Sequence, residues 1–179
     1  MTLTLATLLP GLLLVALGLP LLLNHPVSVA ALKSLPRSTS AAVVFFGTGS
    51  LWFLWNVWHL SKADFGEYRT LLTIGFAAVA ALSFKCVPDF LAVRGLCAFV
   101  LLSASPLLGA GYMEYQHPQR LFMVTLVYVL IALAIWLGAS PFRLRDFFEW
   151  LFARPGRTRA AGAALLGYGL LLTVVAFTY

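Results

Sequence analysis

The chain has 179 residues, 61% of them hydrophobic and only 10% charged, with a formal net charge of +6. Soluble domains average about 45–50% apolar and about 25% charged residues, so this composition excludes an ordinary water-soluble globule and makes lipid the solvent for most of the surface. The basic excess is no nucleic-acid footprint, because the twelve Lys and Arg residues are scattered among short loops and never gathered on one domain face.

Apolar runs recur at about residues 2–23, 41–60, 70–84, 90–110, 121–139 and 160–178, most of them near the ~20 residues that a spanning helix needs. Continuously apolar runs fit helices, whereas barrel strands would alternate outward-apolar and inward-polar side chains. The expectation is an all-α polytopic membrane protein: a single helical transmembrane domain over residues 1–179, with six transmembrane helices.

In chain order, the first run is Leu-rich and interrupted by Pro10 and Pro20, each of which removes a helix hydrogen bond and predicts a bend. Met1 to Leu9 holds no Lys or Arg, so the run reads as a retained span and not as a secretory signal. The second run carries Gly47 and Gly49, where small residues would let another backbone approach. It closes with Trp52, Trp55, Trp58 and His59. Thr48, Trp52, Trp55 and His59 share one helical stripe, although Trp at a helix end is commonly an interfacial anchor. A mixed-charge loop follows, with Lys62, Asp64, Glu67 and Arg69, then a short third run ending at Lys85. In the fourth run Asp89 and Arg94 are close enough to pair, and Pro106 predicts a kink. The next loop carries Glu114 and His117, and the fifth run is without charge.

The stretch Ser140–Arg159 is strongly charged yet rich in large apolar side chains, and it holds five of the twelve basic residues. Ser140 suits an N-cap and Pro141 a first helical position. On a helical wheel Leu144, Phe147, Phe148, Trp150, Leu151 and Phe152 fill one arc while Arg145, Asp146 and Glu149 fill the other, with Arg145 and Glu149 spaced for an i, i+4 pair. This is the pattern of an amphipathic helix lying in the interface, here between the fifth and sixth spans. Gly167 and Gly169 in the last run are expected close-packing positions.

Six spans divide the cations unequally. One side holds Lys33, Arg37, Lys85, Arg94, Arg143, Arg145, Arg154, Arg157 and Arg159, nine in all; the other holds Lys62, Arg69 and Arg120, three in all. The positive-inside rule then places the Ser140–Arg159 helix in the cytoplasm and both termini outside, in a bacterial-type inner membrane.

No phosphate-binding loop, His-Glu-x-x-His, Cys-x-x-Cys or Gly-x-Ser-x-Gly motif is present, and no run has a mid-span ionisable residue of the kind that coupled transporters keep. The residues that could carry chemistry lie on the outer side: His59, Asp64, Glu67, Glu114 and His117 are the donor types that bind a transition metal. His59 and His117 would alternatively serve haem or a quinone headgroup, and no particular cofactor is singled out. On the cytoplasmic side Arg143, Arg145, Arg154, Arg157 and Arg159, with Phe147, Phe148 and Trp150, suit anionic lipid headgroups or an acidic partner face. The expected role is a small non-catalytic subunit or assembly partner of a larger membrane complex, touching lipids and other membrane subunits but not nucleic acid. The alternatives are a redox or metal-binding protein built on His59 and His117, and a neutral-solute channel lined by Thr48, Ser50, Asn56, Ser103 and Ser105.

Overall fold

The computed structural model describes residues 1–179, except that the side chain of Lys62, counted above among the outer-side cations, lies outside the described set. The described residues form helices and turns and no strand. Eight helices are used below: α1 (Leu3–Leu22), α2 (Pro26–Ser34), α3 (Thr39–Trp58), α4 (Arg69–Cys86), α5 (Leu91–Ala110), α6 (Arg120–Ala139), α7 (Phe142–Phe152) and α8 (Pro155–Ala176). Among the described residues six helices are long and apolar enough to cross a membrane, namely α1, α3, α4 with its preceding turn, α5, α6 and α8. The chain has the architecture of a multi-pass membrane protein.

Two of the boundary differences from the sequence reading place cations on helices. The third run is longer than its apolar core, because helix continues from Arg69 through Lys85 to Cys86; both flanking cations have stems that lie along an apolar helix while the charge stays in water. The last helix starts at Pro155 and not near residue 160, with Pro in the first turn, where its missing N–H costs nothing. Arg157 and Arg159 therefore belong to the first turns of α8 and not to the connection before it.

The contacts fall into two compact units, Met1–Ser34 with Ser103–Leu133 and Arg145–Tyr179, and Leu35–Leu102 with Ala134–Leu144. In the first, α1 and α8 run antiparallel in backbone contact. A Cβ added at Gly11 would lie 2.9 Å from Thr173 Oγ1 and 3.1 Å from Gly169 O; one at Gly169 would lie 2.8 Å from Gly11 O. Two turns further, a Cβ at Gly18 would lie 2.6 Å from Leu166 N and 2.9 Å from Gly162 O, and Gly162 is pressed against the backbone of Leu21 and Leu22. Each helix thus places a Gly every seventh residue on one stripe, and the two stripes meet. Helices without a hydrophobic drive between them associate through such close van der Waals approach. Leu3, Ala6, Ala104, Met123, Val127 and Leu172 form the core beside this seam. Thr7, fully buried, donates to Leu3 O at 3.0 Å and lies 3.5 Å from the Tyr179 hydroxyl, so the start of α1 and the end of α8 sit side by side.

The second unit is built on a defect in α3. Val43–Gly47 is a π-helical turn inside the otherwise α-helical segment, and Thr48 Oγ1 donates back to Val44 O within it. The backbone of Phe46 rests on Gly95 of α5 with no room for a Cβ. Ala42, Leu91 and Ala92 pack around that contact, and Val93, Cys97 and Ala134 form a second small cluster with Leu137 and Leu144. No residue of α4 is buried.

Candidate functional site

Among the described residues no three His, Cys, Asp or Glu side chains come together; of the candidate donors His59, Asp64 and Glu67 lie in the second unit and Glu114 and His117 in the first. Within the second unit, His59 ends α3 as its C-cap, with Nδ1 2.7 Å from Trp55 O and the ring 4.3 Å from the Trp55 ring. A carbonyl only accepts, so Nδ1 carries the proton and caps the last turn. Asp64 takes a 2.8 Å hydrogen bond from Ser61 Oγ, which pins the following turn, and Glu67 is exposed. Within the first unit, His117 stacks edge-on against Tyr179 at 5.3 Å and Glu114 is exposed. Both histidines have local partners that explain their positions.

Each of these two loops holds one residue in the left-handed region. Phe65 and Met113 have φ of 63° and 61°, a region that costs a side-chain-bearing residue about 1–2 kcal/mol. In the first loop the main chain of Gly66 is pressed against the Ser61 carbonyl, and its N–H donates to that oxygen at 2.8 Å. In the second, Arg120 donates to Gly111 O and lies over the Tyr115 ring at 4.9 Å.

The charged corner between α6 and α8 is the more organised surface. Phe142–Phe152 is helical as the pattern predicts, but its apolar arc is divided. Leu151 is buried and Leu144, Phe148 and Phe152 are partly buried, whereas Phe147 and Trp150 remain about half exposed, with Phe142 beside them in sequence also outward. Phe147 and Trp150 stack at 6.1 Å. The end of α7 is tied to the start of α8 by two hydrogen bonds: Arg157 Nη1 donates to Trp150 O at 3.1 Å, and buried Thr158 Oγ1 donates to Leu151 O at 3.2 Å. These satisfy carbonyls that the helix end leaves unpaired. The Arg157 guanidinium also lies 4.5 Å over the Trp150 ring, and Lys33 faces the Phe152 ring at 5.8 Å.

No family model, curated protein or solved structure matches this chain.

The five arginines of the corner are not equivalent. Arg143 lies over the Trp136 ring at 4.9 Å and Arg157 is spent on the helix end. Arg145 bonds Asp146 at 2.7 Å, closer than the i, i+4 partner Glu149 at 3.8 Å, and the Asp146 hydrogen bond holds its guanidinium above the ordinary value. Arg154 and Arg159 are exposed and have no ion pair among the described residues. Asp89 and Arg94 likewise form no ion pair among the described residues.

Of the four glycines singled out for packing, Gly169 makes the seam with α1. A Cβ added at Gly49 would meet the backbone of Gly95 and Phe99 at an ordinary 3.7–3.8 Å, and one added at Gly47 or Gly167 would meet nothing within 4 Å. The position on α8 that sequence reasoning should have paired with Gly169 is Gly162, seven residues earlier, matched by Gly11 and Gly18 on α1. Gly167 lies two residues off that stripe, on the other side of the helix.

Proposed function

We propose that this chain is a non-catalytic subunit or assembly partner of a larger membrane complex. The observation that carries the reading is α4. It is long and apolar, yet no residue on it is buried, and the exposed side carries Gly75, Ala78 and Ala81 among Leu71, Ile74 and Leu82. A helix meant only to face lipid gains nothing from small residues there; helix partners do, because small residues admit a second backbone. Gly75 has open space where a partner would lie.

The same reading places the protein in a bacterial-type inner membrane. The nine-to-three division of cations then puts α7 on the cytoplasmic face and both termini outside. There α7 lies in the interface, with Phe147 and Trp150 among the acyl chains and Arg154 and Arg159 against anionic headgroups or an acidic partner surface.

The test is native mass spectrometry of protein gently extracted from its own membrane, wild type beside Gly75→Leu and Ala78→Leu. Stoichiometric partner chains that disappear in the variants are the expected result. A bare wild-type chain refutes the reading, and partners retained by both variants refute α4 as the helix that docks them.

A further inference from the structure

Within the second unit, α3, α4 and α5 enclose a half-open cavity of about 360 Å³. Its walls are contributed by the central turns of all three helices: Gly49 and Phe53 of α3, Phe76 and Ala80 of α4, Ala98 of α5. In a spanning helix these turns lie at the hydrocarbon centre, since each residue rises about 1.5 Å and the hydrocarbon core is about 30 Å thick. Phe53 and Phe76 meet edge to face at 5.1 Å and form one wall. Ala98 is exposed and small, and Gly49 lines the cavity with main chain only. Ser50 supplies the only hydroxyl of the lining, and a helical serine can turn its proton to the carbonyl one turn back, so the cavity asks for no polar ligand.

We propose that this cavity holds one acyl chain of a membrane phospholipid as a fixed structural element. Water and charged ligands are excluded by the lining and by the depth. A cavity of about 150 Å³ lined by Leu, Ile and Phe already takes benzene, and this one is more than twice that volume. A partner helix about 10–12 Å across is too wide to enter, whereas a hydrocarbon chain arriving sideways from the bilayer can follow the contour. Phe46, whose backbone is seated on Gly95 of α5, belongs to the same lining. The chain would thereby supply the packing that α4 lacks from protein.

The purified protein is reconstituted in phosphatidylethanolamine–phosphatidylglycerol vesicles doped with a phosphatidylethanolamine that carries a diazirine halfway along one acyl chain. It is then irradiated, digested and mapped by mass spectrometry. Adducts on Phe53, Phe76 and Ala80 several-fold above those on the exposed positions Leu13 and Val129 are expected. Ala98→Phe, a substitution at an exposed position, should return them to that background; Ala80→Leu is the second filling variant should the first fail to fold. Even labelling of all exposed helix faces, or full labelling in a folded filled variant, overturns the proposal. So does protection of these residues by a co-purifying protein, because a partner side chain would then occupy the cavity.

Discussion

Replacing Gly18 or Gly162 by Ala tests whether backbone contact holds α1 to α8. The methyl group at Gly18 would sit 2.6 Å from Leu166 N and 2.9 Å from Gly162 O, where ordinary van der Waals separation is about 3.5–4.0 Å. Both obstacles are main chain, so no rotamer change relieves them and the helices must separate by roughly 1 Å. Overpacking of this kind costs about 1–3 kcal/mol, against which Ala gains about 1 kcal/mol of helix propensity over Gly. The net expectation is a loss of about 0–2 kcal/mol for each, with Gly162→Ala at the upper end because its methyl would meet the Leu21–Leu22 main chain most closely. Gly167→Ala on the same helix meets nothing within 4 Å and keeps the propensity gain of about 1 kcal/mol. For a chain of this size 1 kcal/mol moves Tm by about 2–4 °C, so the variants should separate in sign. The double variant Gly18→Ala/Gly162→Ala should cost less than the sum, since one separation relieves both contacts. The readout is the monodisperse fraction left by size-exclusion chromatography after graded heating in detergent. Should Gly162→Ala prove as stable as Gly167→Ala, the seam is not what holds the pair.

Gly95→Ala should behave like the seam variants in the second unit, at the upper end of the same net loss of about 0–2 kcal/mol, because its methyl would strike the backbone of Phe46; a stabilised variant would mean the π-helical turn is free to shift. Thr158→Val leaves the Leu151 carbonyl unpaired and should cost about 1–3 kcal/mol, with Thr158→Ser largely restoring stability in the same heating assay. An environment-sensitive dye on Phe147→Cys, with Cys86 and Cys97 replaced by Ser, should emit from an apolar medium in vesicles, and one on Asp146→Cys from water; equal emission would remove α7 from the interface. In intact cells a membrane-impermeant thiol reagent should label Glu114→Cys and spare Arg154→Cys in the same background, and the reverse pattern would invert the proposed orientation.

The six long helices were legible because their signal is apolar length, which no tertiary detail can hide. The helix Phe142–Phe152 was legible from Pro141 and its periodicity, but the division of its apolar arc was not, since a helical wheel does not say that Leu151 turns to protein while Trp150 stays outward. The Thr158 cap depends on α8 opening at Pro155, five residues before the apolar run that marks the last span in the sequence. The glycine seam was within reach: the seven-residue spacings 11 to 18 and 162 to 169 stand in the sequence, and that phase, not the nearness of Gly167 to Gly169, marks the packing stripe. The π-helical turn had no sequence signal, as Val43–Gly47 contains neither Pro nor an inserted polar residue. Counting His and carboxylates likewise could not show that His59 is engaged in capping its own helix.

The seam between α1 and α8 also governs when the molecule can become itself. Gly11 and Gly18 are made well before Gly162 and Gly169, the glycines they are shaped to meet, with all of the intervening chain still to follow. At about 5–20 residues per second of synthesis, α1 waits on the order of ten seconds with its notched face open to lipid or to any other small-residue helix nearby. Its fidelity through that interval rests on a stripe that fits one late-arriving partner in one antiparallel register.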